Sequence, residues 1–350
     1  ADVELVARKP RTVESWSNDM LWAHYGIRDA FSVHALSVSA ALRGLDHDLR
    51  TFLRLRRHRP TLVYSRNLRA AALAATLGWP IVHETHTVPD TRLAARYQRL
   101  VLRGKRLKGT VVISQVLKEM FLERYGSIAD EDRVVVAPDG IDIERFDAMP
   151  SRIDAKTQLG IPLDKFVAGY VGHLYSGRGV ELILSLARRL PDMGFLLVGG
   201  DPDSVARRRR ESDAAQLTNV RLNGFVANAD LPLSYAACDV VLMPYQQSVA
   251  VSGGSNTAAW MSPMKTFEYM ASERLIISSD LPVIREILND ANAMLCGPED
   301  LDAWESAIRR AQSEPRWANS LAQQARTDVE KYTWRRRVRH VMGSLMAEPK

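Results

Sequence analysis

Short, continuous apolar runs alternate along the chain with longer stretches of helical periodicity. Strands are predicted at Val3–Ala7, Leu62–Ser65, Ile81–Glu84, Val111–Ser114 and Val134–Ala137 in the first half. In the second half they are predicted at Phe166–Val171, Phe195–Val198, Val220–Asn223, Val240–Met243, Leu275–Ser278 and Met294–Cys296. Several runs are apolar without alternation, which marks strands covered on both faces, and the strand–helix–strand succession predicts βαβ units in parallel sheets. A break at Met149-Pro150-Ser151 divides the pattern. The expected organisation is an α/β chain with domains at 1–150 and 151–332, followed by a terminal helix over 333–350 that packs back on the first domain. Each half reads as a Rossmann-like doubly wound sheet, the two facing a cleft. The first half opens on what looks like a second strand. It is therefore expected to lack its first strand–helix unit, roughly 25–30 residues, as in a truncated chain.

Length and composition fit this picture. A chain of 350 residues suits two domains of middling size, and 46% hydrophobic with 25% charged residues is ordinary for globular proteins. The net charge of +6 suits anionic partners, but no nucleic-acid reader motif accompanies it, so nucleic acid is not an expected partner. Cys238 and Cys296 form no CxxC pair, which argues against a disulfide framework or a zinc site and favours a reducing, cytoplasmic setting. No apolar stretch reaches the ~20 residues needed to span a bilayer.

Chemistry concentrates in the second half. In Ser262–Ala271, Ser262 can cap a helix and Pro263 suits its first turn, so that free amides form an anion site. Lys265 adds a point charge for a phosphate, and Glu268, one turn on, can accept from the hydroxyls of a ribose. Alone, the segment reads as readily as a capped amphipathic helix with a surface Lys–Glu pair. The turn from Val171 to Val180 follows a strand: Gly172 admits close approach of a ligand, and Arg178, between Gly177 and Gly179, can fork onto a diphosphate. Val198-Gly199-Gly200, Val220–Val226 and Asp239–Tyr245 are further strand-to-turn segments. All would lie on the carboxyl edge of one sheet, where ligands of such sheets bind.

Taken with Pro138-Asp139-Gly140-Ile141-Asp142, Phe146, His173 and Ser279-Asp280-Leu281-Pro282, these pieces, from Val134 to about Tyr332, resemble a retaining glycosyltransferase of family 4, with the GT-B fold. The first half resembles the family less sharply, through Glu84-Thr85-His86 and Ser114. The resemblance implies that Arg178 binds the donor diphosphate. It implies that His173 stands where relatives often have arginine, that Glu268 holds the ribose, and that Phe225 and Val226 flank the nucleobase. His86 would lie near the sugar. A first glutamate expected eight residues before Glu268 is replaced by Trp260, and the backbone around 256–262 is the expected substitute. The implied reaction moves a sugar from a nucleotide diphosphate sugar to a hydroxyl of a glycan, lipid-linked or small-molecule acceptor. The anomeric configuration is kept, with no cofactor and no metal. Arg178, Lys265 and His86 are the catalytic candidates; Gly172, His173, Phe225, Val226, Ser262, Pro263 and Glu268 are the donor-binding ones. A sugar-nucleotide epimerase of the same fold and a non-catalytic nucleotide-binding protein are the alternatives.

His83 and His86 are spaced for opposite faces of a strand, which argues against a shared metal. Arg92, Arg96, Arg99, Arg103 and Arg106 would form one helical face beside Leu93, Tyr97 and Leu100. That face is either solvated or pressed on an anionic membrane surface, so the expected location is cytoplasmic, at the inner face of the membrane if the stripe docks. Arg207–Arg210 reads as a solvated helix face.

Overall fold

A computed structural model describes residues 2–9, 17–25, 31–38, 44–248 and 257–346. The chain divides into two compact units. One comprises residues 1–113, 117–137 and 339–350, the other residues 114–116 and 138–338. The division thus falls after Ala137, not at 150. Ile141 and Phe146 are buried in the core of the second unit, and this packing carries 138–150 with it.

The first unit holds strands β1 (Glu4–Arg8), β2 (Ser32–Leu36), β3 (Val63–Ser65), β4 (Ile81–Thr85), β5 (Leu107–Val112) and β6 (Val134–Val136). Strands β1 and β2 pair in parallel as a two-stranded sheet, and β3-β4-β5-β6 form a second parallel sheet. β4 is buried at all five residues because both its faces are covered: Ile81 packs with the alanine-rich helix Leu68–Thr76 and with Val101 of the helix Arg92–Leu102, and Val82 faces the last helix of the chain. The last helix, Trp334–Met346, places Val341 and Leu345 among Val82, Val111 and Val135. The arginine stripe is shorter than expected. Its helix ends at Leu102, and Arg106 lies in the turn before β5, donating to the Gly78 carbonyl at 3.4 Å.

The second unit holds β7 (Val167–Val171), β8 (Gly194–Val198), β9 (Val220–Asn223), β10 (Val240–Met243), β11 (Leu275–Ser279) and β12 (Met294–Cys296). All pair in parallel, in the order β9-β8-β7-β10-β11-β12. That is a doubly wound sheet whose winding reverses between β7 and β10, and ligands of such sheets bind at that reversal, outside the carboxyl ends of the strands. Two apolar layers cover its faces, one centred on Phe267, Met270 and Ile276, the other on Leu186, Phe195 and Trp304. On the helix Pro202–Ala214, Arg208 departs from the expected solvated face. It is buried, and Glu181 and Glu211 accept from its guanidinium at 2.5 and 2.7 Å.

Candidate functional site

Pairing between β7 and β10 covers only Val240 with Ala168 and Val241 with Gly169. Beyond that point Tyr269, from the helix Met264–Ala271, stands between the strand ends: the Val171 amide donates to its Oη at 2.9 Å, and the Oη donates to the Leu242 carbonyl at 3.2 Å. The phenol replaces the ladder bonds that the separated strands give up, so the sheet opens at its reversal without orphaning buried backbone groups. Removing that hydroxyl in Tyr269→Phe leaves two buried groups unmet, at about 1–3 kcal/mol. Melting should fall by about 2–4 °C per kcal/mol for a unit of this size. An unchanged midpoint in thermal denaturation would rule out this role.

The turns after β7 and β10 face each other across the opening. Gly179 has a positive φ of 77°, and a Cβ there would lie 1.9 Å from the Pro244 carbonyl oxygen, so only glycine lets these two turns meet. Arg178 is thereby set beside Tyr245: its Nη1 donates to the Tyr245 Oη at 2.7 Å, and the guanidinium stands 5.0 Å from the ring centroid. Lys265, the second residue of the helix Met264–Ala271, is 9% exposed and has no hydrogen-bond partner for its Nζ among the described residues. The ammonium lies 4.0 Å from the ring centroid of Tyr170 and 5.1 Å from that of Tyr245, an aromatic cradle for a cation. Gly172 makes room for it, since a Cβ there would come within 2.8 Å of Nζ.

The electrostatics follow from this crowding. Burial, then the neighbouring Arg178, push the Lys265 ammonium well below its ordinary value. Burial also lowers His173, assisted by Arg178 and Lys265; its ring stacks on Tyr175 with centroids 4.8 Å apart. Glu268 moves the other way. Burial raises its carboxyl, while the Tyr235 hydroxyl that donates to it at 2.8 Å, together with Arg145 and Lys265, opposes the rise. The second unit therefore gathers Arg178, Lys265 and His173 around Gly172, and Glu268 one turn along the helix from Lys265. Three basic side chains thus crowd one end of the sheet, and Arg178 disfavours the charged form of the other two.

Other expected residues lie differently. The Met264–Ala271 helix has Pro263, not Ser262, at its cap position, with no side-chain cap. The Ser262 hydroxyl instead accepts from the Asp139 amide at 3.1 Å, tying the 138–142 turn to the helix start. Phe225 follows β9 and is 72% exposed, while Val226 packs against the core. Trp260 closes a turn on the Thr257 carbonyl, and the substitute backbone expected over 256–262 is described only from Thr257 on. His86 belongs to the first unit. There its Nε2 lies 2.7 Å from Glu84, Arg66 donates to its Nδ1 at 3.0 Å, and the Tyr64 hydroxyl donates to the same buried carboxylate. Because arginine only donates, Nδ1 is the acceptor and the Nε2 proton points at Glu84. His83 is buried, with ring nitrogens against the Ser65 carbonyl and Gln98, and serves the core.

The roles of Tyr170, Tyr245 and Tyr269 escape a reading of the sequence. Each tyrosine is an ordinary core residue until the sheet brings it to the reversal point. The signal in the sequence is their position: Tyr170 directly precedes the Val171–Val180 turn, Tyr245 closes the Asp239–Tyr245 segment, and Tyr269 lies in Ser262–Ala271.

Residues 165–314 match the family model described as glycosyl transferases group 1, and residues 7–145 match that of glycosyltransferase family 4. Among similar proteins are a D-inositol 3-phosphate glycosyltransferase of Kineococcus radiotolerans and a phosphatidyl-myo-inositol mannosyltransferase of Mycolicibacterium smegmatis. The first is 28% identical over 49% of this chain and 46% of its own; the second is 26% identical over 77% and 65%. The chain thus spans between about half and two thirds of the length of these relatives. Among solved structures, sucrose-phosphate synthase from Thermosynechococcus elongatus superposes with a TM-score of 0.75 at 19% identity, covering 99% of this chain and 88% of the other. Anabaena HepE in complex with UDP does so with 0.75 at 16%, covering 99% and 100%. The fold class is that of the GT-B glycosyltransferases.

Proposed function

The chain belongs to the group 1 glycosyltransferases of family 4, and from that premise we propose that it transfers a sugar from a nucleotide diphosphate sugar to an acceptor hydroxyl with retention of configuration. The observation that carries this reading is the pair of cations at the sheet reversal, half-buried Arg178 and buried Lys265, each set against aromatic rings and neither bonded to an acidic partner among the described residues. Charge develops on the leaving diphosphate as the glycosidic bond breaks. Preorganised cations and helix amides in a site of low dielectric stabilise it without reorganising at the moment of reaction. Arg178 forks onto the diphosphate, Lys265 supplies an ammonium beside it, and the free amides of Met264 and Lys265 add donors. Glu268 accepts from the ribose, with Phe225 and Val226 at the base. The relatives named above act on inositol-containing acceptors by their descriptions, and the Anabaena protein is bound to UDP. A uridine diphosphate sugar is accordingly the first donor to test. His86, with its tautomer set by Glu84 and Arg66, is assigned to the acceptor side.

The test is turnover across a panel of nucleotide sugars with and without acceptors, with the product anomer read by nuclear magnetic resonance. Expected is an acceptor-dependent product of unchanged anomeric configuration. Conversion of the donor without acceptor would point to an epimerase, and binding without any turnover to a non-catalytic protein; either ends the transferase reading.

The acceptor side extends to a surface. No helix among the described residues is long and apolar enough to cross a bilayer. The helix Arg92–Leu102 and its cap expose Arg92, Arg96, Arg99 and Arg103, none in an ion pair among the described residues, with Leu93 59% exposed beside them. We propose that this face rests on the anionic inner surface of a membrane, where lipid-linked acceptors reside. Wild type should float with anionic liposomes at low salt, and replacing these four arginines by glutamine should abolish it. Failure of the wild type to float ends the idea.

A further inference from the structure

The amino-terminal edge of the β3–β6 sheet carries a feature that the transfer reaction does not use. The turns leading into β3, β4 and β5, with the end of the helix Leu45–His58, enclose a groove of about 530 Å³. Three exposed guanidinium groups line it, Arg56, Arg59 and Arg106, and no acidic residue does. Trp79, Phe52 and Leu77 supply its apolar wall. Arg56 leans on the Phe52 ring at 5.8 Å, and neither Arg56 nor Arg59 enters an ion pair among the described residues. Arg59 has a φ of 45°, a left-handed conformation that a bulky side chain rarely adopts. Glycine would cap this helix without strain, yet the position carries a third positive charge for the groove. His86 lies past the opposite end of β4, roughly 20 Å along the strand from Pro80, so the groove is separate from the acceptor-side histidine.

We propose that this groove is a second anion site, one that takes the phosphate of a phosphoester between Arg56, Arg59 and Arg106 and lays the body of the ligand on Trp79. Three guanidinium groups along one groove offer more donors than one phosphate can use, even with one Arg106 donor on the Gly78 carbonyl, and no carboxylate lines the groove to compete for their charge. The indole and Leu77 suit a ligand with an apolar or ring portion, such as a phospholipid headgroup at its glycerol or a small phosphorylated metabolite.

The experiment uses the full chain and the variant Arg56→Gln/Arg59→Asn/Arg106→Gln, asparagine being chosen because it tolerates the left-handed backbone. Inorganic pyrophosphate is titrated calorimetrically at low salt, and sedimentation is measured with phosphatidylcholine vesicles containing one part in three of phosphatidylglycerol. Pyrophosphate also enters the site of Arg178 and Lys265, so the titration is repeated in Arg178→Ala/Lys265→Met, where the groove is the remaining site. Expected is a saturable interaction that the groove variant weakens by roughly 100-fold, about fivefold for each guanidinium, with acceptor-dependent turnover unchanged. Loss confined to pyrophosphate identifies a free phosphate ligand. Loss confined to vesicles, in a form that the Arg92, Arg96, Arg99 and Arg103 variant does not reproduce, identifies a lipid headgroup. The single variants Arg56→Gln and Arg106→Gln, at exposed positions, give the same answer in smaller steps if the triple variant misfolds. Identical isotherms and identical sedimentation for wild type and variants overturn the proposal, whatever the fate of the transfer reaction.

Discussion

Lys265→Met should raise the melting temperature of the free protein and lower kcat/KM for sugar transfer by about 100- to 1,000-fold, the cost of losing one preorganised charge donor. The two effects have one cause. In the free protein the ammonium is buried between Tyr170 and Tyr245 with Arg178 nearby, and no carboxylate among the described residues bonds to it. Its ordinary value is pushed well down by that burial. The unfolded chain holds this proton up to the ordinary lysine range, whereas the folded chain releases it earlier. Between those two values the unfolded state binds more protons, so stability rises with pH through the window and is progressively lost as pH falls across it. Methionine fills similar space, carries no charge and removes that slope. The difference between wild-type and variant stability profiles should therefore narrow toward high pH. An anionic donor reverses the balance by pairing the ammonium, so within that pH window nucleotide binding should take up a proton that the variant does not take up. Calorimetry in two buffers of different ionisation enthalpy measures it. A destabilised variant with wild-type turnover would mean that Lys265 is a structural cation and not part of the donor site.

Much of the second unit was readable from its residues because most of its strands are largely apolar runs, with Val-Arg-Leu-Asn of β9 alternating instead. β9, β10 and β12 start and end where the pattern places them. The first unit was harder. β2, Ser32–Leu36, is not marked by its sequence because Ser-Val-His-Ala-Leu mixes polar and apolar positions over only five residues, and two of them are exposed in the fold. β5 begins at Leu107, four residues before its expected start, since Lys108-Gly109 reads as a turn by composition. The site divides in the same way. Glycine, arginine and lysine at strand ends announce an anion pocket by type and position. Ser262 was misread as a cap because its hydroxyl has a long-range partner, the Asp139 amide, which no local rule anticipates. The aromatic cradle is likewise a tertiary fact: Tyr170 and Tyr245 come from a strand and a turn far apart in the chain, and only the sheet order makes them neighbours.

Arg178→Ala should cost about 2.7–4 kcal/mol of transition-state stabilisation, a loss comparable to that of Lys265, and the two losses should not add. Both cations address one diphosphate, and residues that share a partner couple, so the double variant should lie well above the product of the single effects. Arg178→Lys separates charge from shape. The Tyr245 hydroxyl holds Nη1 at 2.7 Å, while Nε is buried and has no partner among the described residues, so the fork is fixed at one prong. A lysine keeps the charge but cannot present two parallel donors, and it should recover only part of the rate. Glu268→Ala should instead weaken donor binding more than it slows the chemical step, because a ribose contact is made equally in the ground state and the transition state. Steady-state kinetics with one donor across these five variants, Lys265→Met included, decide the matter. Additive losses for Arg178 and Lys265 would place them on different groups of the substrate. Wild-type values for Arg178→Ala and Glu268→Ala together would remove the donor site from the reversal of the sheet.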